Sequence, residues 1–97
     1  MVKWTAHAQS QVRLIHQYIA QDSLLYASRV CEELVKKTIG LDQLPRKGRK
    51  VPELNVDTIR ELCLYSYRIL YELKSNDLIE VLAVIHKRQH LDTEEIS

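Results

Sequence analysis

Strict alternation of side chains over residues 59–88, IRELCLYSYRILYELKSNDLIEVLAVIHKR, limits what this chain can become. Tyr65, Tyr67, Ile69, Tyr71 and Leu73 fall on one side of an extended backbone, with Ser66, Arg68, Leu70, Glu72 and Lys74 on the other. Past a turn at Ser75-Asn76-Asp77, Ile79, Val81, Ala83 and Ile85 form an unbroken apolar face. Leu78, Glu80, Leu82, Val84 and His86 alternate with them, apolar in the middle and polar at the far end. A strand apolar on both faces needs neighbours on both sides, so 78–86 is expected to be internal to a sheet. Strands are expected at about 59–65, 67–74 and 78–86. The face carrying Arg68 and His86 is expected to be the more open one.

Two amphipathic helices precede the strands. Thr5 is a plausible N-cap, and Ala8, Val12, Ile15 and Ile19 recur at helical spacing, which predicts a helix over 6–20. Asp22-Ser23 breaks that pattern and caps a second helix, whose stripe is Ala27, Val30, Leu34, Thr38 and Leu41, widened by Cys31 and Val35. Glu32–Lys36 and Glu33–Lys37 are favourably ordered pairs on its outer side. The short break between the helices dictates an antiparallel hairpin. Pro45 is expected to end the second helix, and Gly48 and Pro52 mark an irregular loop to about residue 58. Val2-Lys3-Trp4 suffices for one edge strand. The order β-α-α-β-β-β predicts a single α+β domain over 1–97, a helical hairpin packed on one face of a small, mainly antiparallel sheet. A core of Val12, Ile15, Ile19, Val30, Leu34, Ile69, Val81, Ala83 and Ile85 is expected between the two layers.

At 97 residues the chain can bury a core without staples, and its 45% apolar content is that of an ordinary globular protein. The sequence shows neither an apolar run long enough to span a membrane nor an apolar signal segment near residue 1, so a cytoplasmic protein is expected. Cys31 and Cys63 lie far apart in segments of different type and are most simply reduced, half-buried thiols. His7, His16 and His90 have no ligand spacing with one another or with cysteine, so neither metal nor cofactor is expected. A net charge of +1 gives no general argument for nucleic acid, but its distribution is uneven. Arg46, Lys47, Arg49 and Lys50 are clustered, Lys87 and Arg88 follow the last strand, and Asp92, Glu94 and Glu95 offset them in a tail that has the makings of one helical turn.

Several motifs in this order resemble the RelE/ParE superfamily of type II toxin–antitoxin toxins, also described as plasmid stabilisation proteins. They are Leu44-Pro45, Gly48-Arg49, Val51-Pro52-Glu53, Arg60-Glu61-Leu62, Tyr67-Arg68-Ile69-Leu70-Tyr71 and Val84-Ile85-His86. The resemblance covers nearly the whole chain and implies the same βααβββ fold. It also implies growth inhibition in a bacterial cytoplasm, neutralised by a cognate antitoxin protein. The superfamily holds two activities. RelE-like members cut mRNA on the ribosome, which takes a base, an acid and fixed cations around a phosphate. By that resemblance Arg68 and Arg88 would hold the phosphate and His86 would move a proton, with Glu53 a further candidate. The lysines of RelE before the Tyr-Arg motif are replaced by Ile59 and Glu61, and nothing aromatic follows Tyr71. The ParE-like pattern is closer and implies a toxin that docks on DNA gyrase. An inactive member retained for binding its antitoxin is a third reading. On either of the first two readings, Arg46, Lys47, Arg49, Lys50, Glu53, Arg60, Arg68 and Arg88 are candidate contacts for antitoxin or target. Each has a plainer reading: Arg68 as an exposed strand residue facing Glu72, His86 as a solvated histidine, 46–50 as a solvated loop, and the tyrosines as packing.

Overall fold

The computed structural model describes residues 1–75, 77–89, 91 and 95. The helical turn expected of the tail, the charges of Asp92 and Glu94, His90 and the centre of the turn at Asn76 lie outside the described residues. The elements run β1 (Val2–Trp4), α1 (Ala6–Ala20), α2 (Leu24–Thr38), β2 (Arg49–Lys50), β3 (Ile59–Leu64), β4 (Tyr67–Leu73) and β5 (Ile79–His86). One five-stranded sheet has the order β1-β5-β4-β3-β2 and carries the helical hairpin on one face. Only the β1–β5 pairing is parallel. As the two-sided apolar pattern of 78–86 implied, β5 has neighbours on both sides. The short β2, inside a stretch expected to be irregular, extends the sheet beyond β3.

Local chemistry sets the helix ends. Thr5 and Ser23 each accept a backbone N–H three residues on, from Ala8 and Tyr26, so both helices start with a side-chain cap. The second helix stops at Thr38, well before Pro45. Gly40, with φ at +87°, takes up a left-handed conformation just beyond the end, which turns the chain and lets Leu41 drop into the core. The β3–β4 hairpin closes on two residues, Tyr65 and Ser66, because Leu64 pairs with Tyr67. Tyr65 is thus a turn residue, with φ at +55°, and not a strand residue as its alternation suggested.

The largest departure from the alternation lies in β5. Leu70 pairs with Ala83 but Tyr71 pairs with Val81, which leaves Leu82 as an extra residue on β5, a β-bulge. Two successive residues then point the same way, and the apolar face switches sides. Ile79, Val81 and Val84 pack under the helices with Val30, Leu34, Ile69 and Tyr71. Ala83 and Ile85, expected in that same layer, join Leu82, Leu70 and Val51 on the opposite face. Val12, Ile15 and Ile19 are only partly buried against the helix-side cluster. The opposite face is therefore not open: the loop after β2 folds across it, bringing Val51 and Leu54 onto the sheet.

Candidate functional site

On the face away from the helices, Arg68 stands at the centre of an ion-pair chain. It is 6% exposed, buried rather than solvated, and it does not turn to Glu72. Its Nη1 and Nη2 donate to the two oxygens of Glu53 at 2.8 and 2.7 Å, a two-point fork. Its Nε donates to Glu61 Oε1 at 2.8 Å, and Glu61 Oε2 in turn accepts from Arg49 Nε at 2.7 Å. The hairpin register puts Arg68 opposite Cys63, so Glu61, two residues along the same face, sits on the diagonal. The fork from Arg68 holds the Glu53 carboxyl down at about 2, and Glu53 and Glu61 hold the guanidinium above its ordinary range. Pro52 and Cys63 complete a cleft of about 540 Å³ over this network, rimmed by Arg49, Lys87 and Arg88.

His86 is elsewhere. It pairs with Tyr67 across the β4–β5 ladder, and the two rings meet edge to face at 6.0 Å on the helix side of the sheet. Its Nδ1 accepts the Arg88 N–H at 3.1 Å. Arg68 pairs with Ile85, one step away and therefore on the other face. The placement of Arg68 and His86 on one face is thus corrected: Arg68 and Arg88 share the cleft, and the sheet separates His86 from it.

Other expected site residues divide into holders of the fold and free cations. Arg46 Nη2 and Arg60 Nη2 both donate to Asp57, at 2.8 and 2.7 Å, and hold its carboxyl at about 2. Arg60 Nη1 also donates to the Gly48 carbonyl at 2.8 Å, so it clamps the loop before β3 to β2. Lys47 and Lys50 are exposed. Sequence reasoning passed over a groove between the hairpin and the outer end of β4 and β5, of about 660 Å³. Leu14 and Tyr18 from α1, Tyr26 from α2, Tyr65 and Tyr67 from the β3–β4 hairpin and His86 line it. Leu14 and Tyr18, four apart and off the core stripe, are 62% and 72% exposed, an apolar pair that the sequence does show. Among the described residues no Asp, Glu, Lys or Arg lines this groove. Among the described residues no helix is long and apolar enough to cross a membrane, and no cluster of His, Cys, Asp or Glu is arranged to hold a metal.

The sequence model described as the ParE toxin of the type II toxin–antitoxin system, parDE, matches residues 2–91. The chain belongs to the ParE toxin family. A solved structure titled as the chromosomal ParDE system from P. aeruginosa contains a chain of the same fold, with a TM-score of 0.71 and 22% identity, over 88% of this chain and 92% of that one. No curated protein matches the chain. As a ParE-family protein it is the toxin component of a type II system, and its partner is a cognate antitoxin. The βααβββ expectation is met, with the short β2 added.

Proposed function

We propose that this ParE-family toxin acts in the cytoplasm by docking on DNA gyrase, not by cutting RNA. The observation that supports this is the state of Arg68. Every nitrogen of its guanidinium donates to Glu53 or Glu61. Holding a scissile phosphate would require breaking a buried, charge-assisted network. His86, the proton-transfer candidate, faces the helices, and Glu53, the further candidate, has both carboxylate oxygens engaged by Arg68, which argues against general acid–base catalysis at that arginine. Gyrase is the target that likeness to the ParE branch implies.

The antitoxin, on this reading, neutralises the toxin by laying an apolar segment into the groove of Leu14, Tyr18, Tyr26 and Tyr67, whose lining includes no Asp, Glu, Lys or Arg among the described residues. Acidic antitoxin residues would meet the cations at Arg46, Lys47 or Lys50, affecting association rate and salt dependence more than final affinity. The deciding experiment induces the chain in bacteria and follows growth, the DNA damage response and stabilised gyrase–DNA breaks alongside mRNA ends. Breaks without new mRNA ends are expected. Ribosome-dependent cuts that disappear in both Arg68→Ala and His86→Ala would overturn the reading.

A further inference from the structure

The cleft over the ion-pair chain carries more positive charge than its own carboxylates neutralise. Glu61 accepts from Arg68 through one oxygen and from Arg49 through the other, and both Glu53 oxygens accept from Arg68. Two arginines and two glutamates therefore balance, with every carboxylate oxygen engaged. Lys87 and Arg88 line the same cleft, are exposed, and have no carboxylate partner among the described residues. Their backbone is held in place: the Lys87 N–H donates to the Ser66 carbonyl at 2.7 Å, and the Arg88 N–H to His86. Arg49, although paired, keeps 64% of its side chain exposed, and its Nη1 has no hydrogen-bond partner among the described residues.

We infer that Arg49, Lys87 and Arg88 form a binding site for a phosphate group of a nucleic-acid backbone. The shape favours that ligand. The cations converge from two separate segments, β2 and the end of β5, onto one cleft, which suits a compact tetrahedral anion with acceptors in several directions. An acidic peptide in extended form instead spreads its carboxylates about 7 Å apart on one side, a row that converging cations do not match. Arginine and lysine on phosphate oxygens supply affinity without reading sequence. For its setting, DNA held by gyrase, the inference rests on the gyrase reading; the contact itself does not.

The test is fluorescence anisotropy of the purified full chain with a labelled 20-base-pair duplex between 50 and 200 mM salt, with inorganic phosphate and poly-glutamate as competitors. Binding with a log–log salt slope of about −2 to −3 is expected, the value for two or three phosphate contacts. Lys87→Gln with Arg88→Gln should weaken binding at least tenfold and flatten the slope by about two. Lys36→Gln with Lys37→Gln, an equal loss of charge on α2, should leave both unchanged. Circular dichroism and thermal melting establish that each variant is folded. Inorganic phosphate competing at millimolar concentration supports the site. Absence of DNA binding, equal loss in the two double variants, or stronger competition by poly-glutamate than by an equal phosphate charge would each overturn it. Gyrase capture is scored in parallel. Capture without DNA binding removes this inference and leaves the gyrase reading standing; DNA binding without capture does the reverse.

Discussion

Tyr71 and Gly48 are joined at van der Waals limit: the tyrosine Oη accepts the Gly48 N–H at 2.9 Å, and a Cβ built on that glycine would lie 2.7 Å from the same oxygen. The Oη also donates to the Pro45 carbonyl at 2.8 Å, so one buried hydroxyl ties the loop before β2 to the centre of the sheet. Gly48→Ala would further meet the Glu61 carbonyl oxygen at 2.5 Å, a backbone atom that cannot rotate away. We expect Gly48→Ala to cost about 1–3 kcal/mol by overpacking. Tyr71→Phe should cost about 1–3 kcal/mol by leaving the buried Gly48 N–H and the partly buried Pro45 C=O without this partner. Urea unfolding of each variant measures this directly; a change below about 0.5 kcal/mol in both would show that the loop is not held by this contact.

The ion-pair chain gives the fold an acid-sensitive component. The Arg68 fork holds the Glu53 carboxyl at about 2 in the folded chain, whereas an unfolded glutamate titrates near 4.3. A depressed carboxyl contributes fully above the unfolded value and loses that contribution as pH falls towards the folded one. Asp57, held at about 2 by Arg46 and Arg60, acts in the same window. Urea midpoints should therefore fall between about pH 4.3 and pH 2. Glu53→Gln should flatten this fall, and a profile identical to that of the parent would contradict the assignment.

Arg68 and His86 should respond very differently to truncation. Arg68→Ala leaves the fully buried Glu61 with Arg49 as its remaining cation, and breaking a buried pair in this way costs about 3–5 kcal/mol. His86→Ala removes an exposed ring at a strand end and should change stability by less than about 1 kcal/mol. Toxicity is expected to survive His86→Ala and to fall with Arg68→Ala in proportion to folded protein. Thermal melts run beside growth assays separate the two causes. A folded Arg68→Ala protein without toxicity would make this arginine a contact instead of a girder.

Core and groove can also be told apart by mutation. Leu34 is fully buried, and Leu34→Ala should cost about 2–5 kcal/mol. Ile15 is only partly buried and lines the groove, so Ile15→Ala should cost about 1 kcal/mol of stability. Tyr18→Ala, at a side chain that is mostly exposed, should leave stability alone and weaken antitoxin binding by about 1–2 kcal/mol. Calorimetry of the toxin with its antitoxin tests this; unchanged affinity in both Ile15→Ala and Tyr18→Ala would move the antitoxin off the groove.

Element order, helix faces and the internal position of β5 were legible because each rests on a local period. The bulge was not legible. Residues 78–85 are apolar on both sides except at Glu80, so sliding the register by one residue exposes nothing and leaves no trace in the pattern. That slip moved Ala83 and Ile85 away from the helices. The partners of Arg68 were closer to view. Glu61 stood out in the sequence as part of the Arg60-Glu61-Leu62 motif and as a replacement for a lysine of RelE, not as a partner of Arg68. A turn placed at Tyr65-Ser66, in place of a strand reaching Tyr65, would have set Glu61 diagonal to Arg68. Glu53 depends on how the loop after β2 folds back, which no local period encodes. Leu14 and Tyr18 were visible as apolar residues off the stripe, but a groove exists only once the hairpin has docked on the sheet.

The parallel pairing of Val2 with Ile79 also fixes when the toxin can exist during its own synthesis. The segment that begins the sheet has its hydrogen-bonding partner in β5, which is translated after β2, β3 and β4, and helix α1 follows directly on that first strand. The sheet cannot close until residues 79–86 have left the ribosome, since non-local pairings of this kind form late. A truncated translation product lacking residues 79–86 would leave β1 unpaired and α1 without the strand it packs against. The fold that an antitoxin would capture thus becomes available only after β5 has emerged.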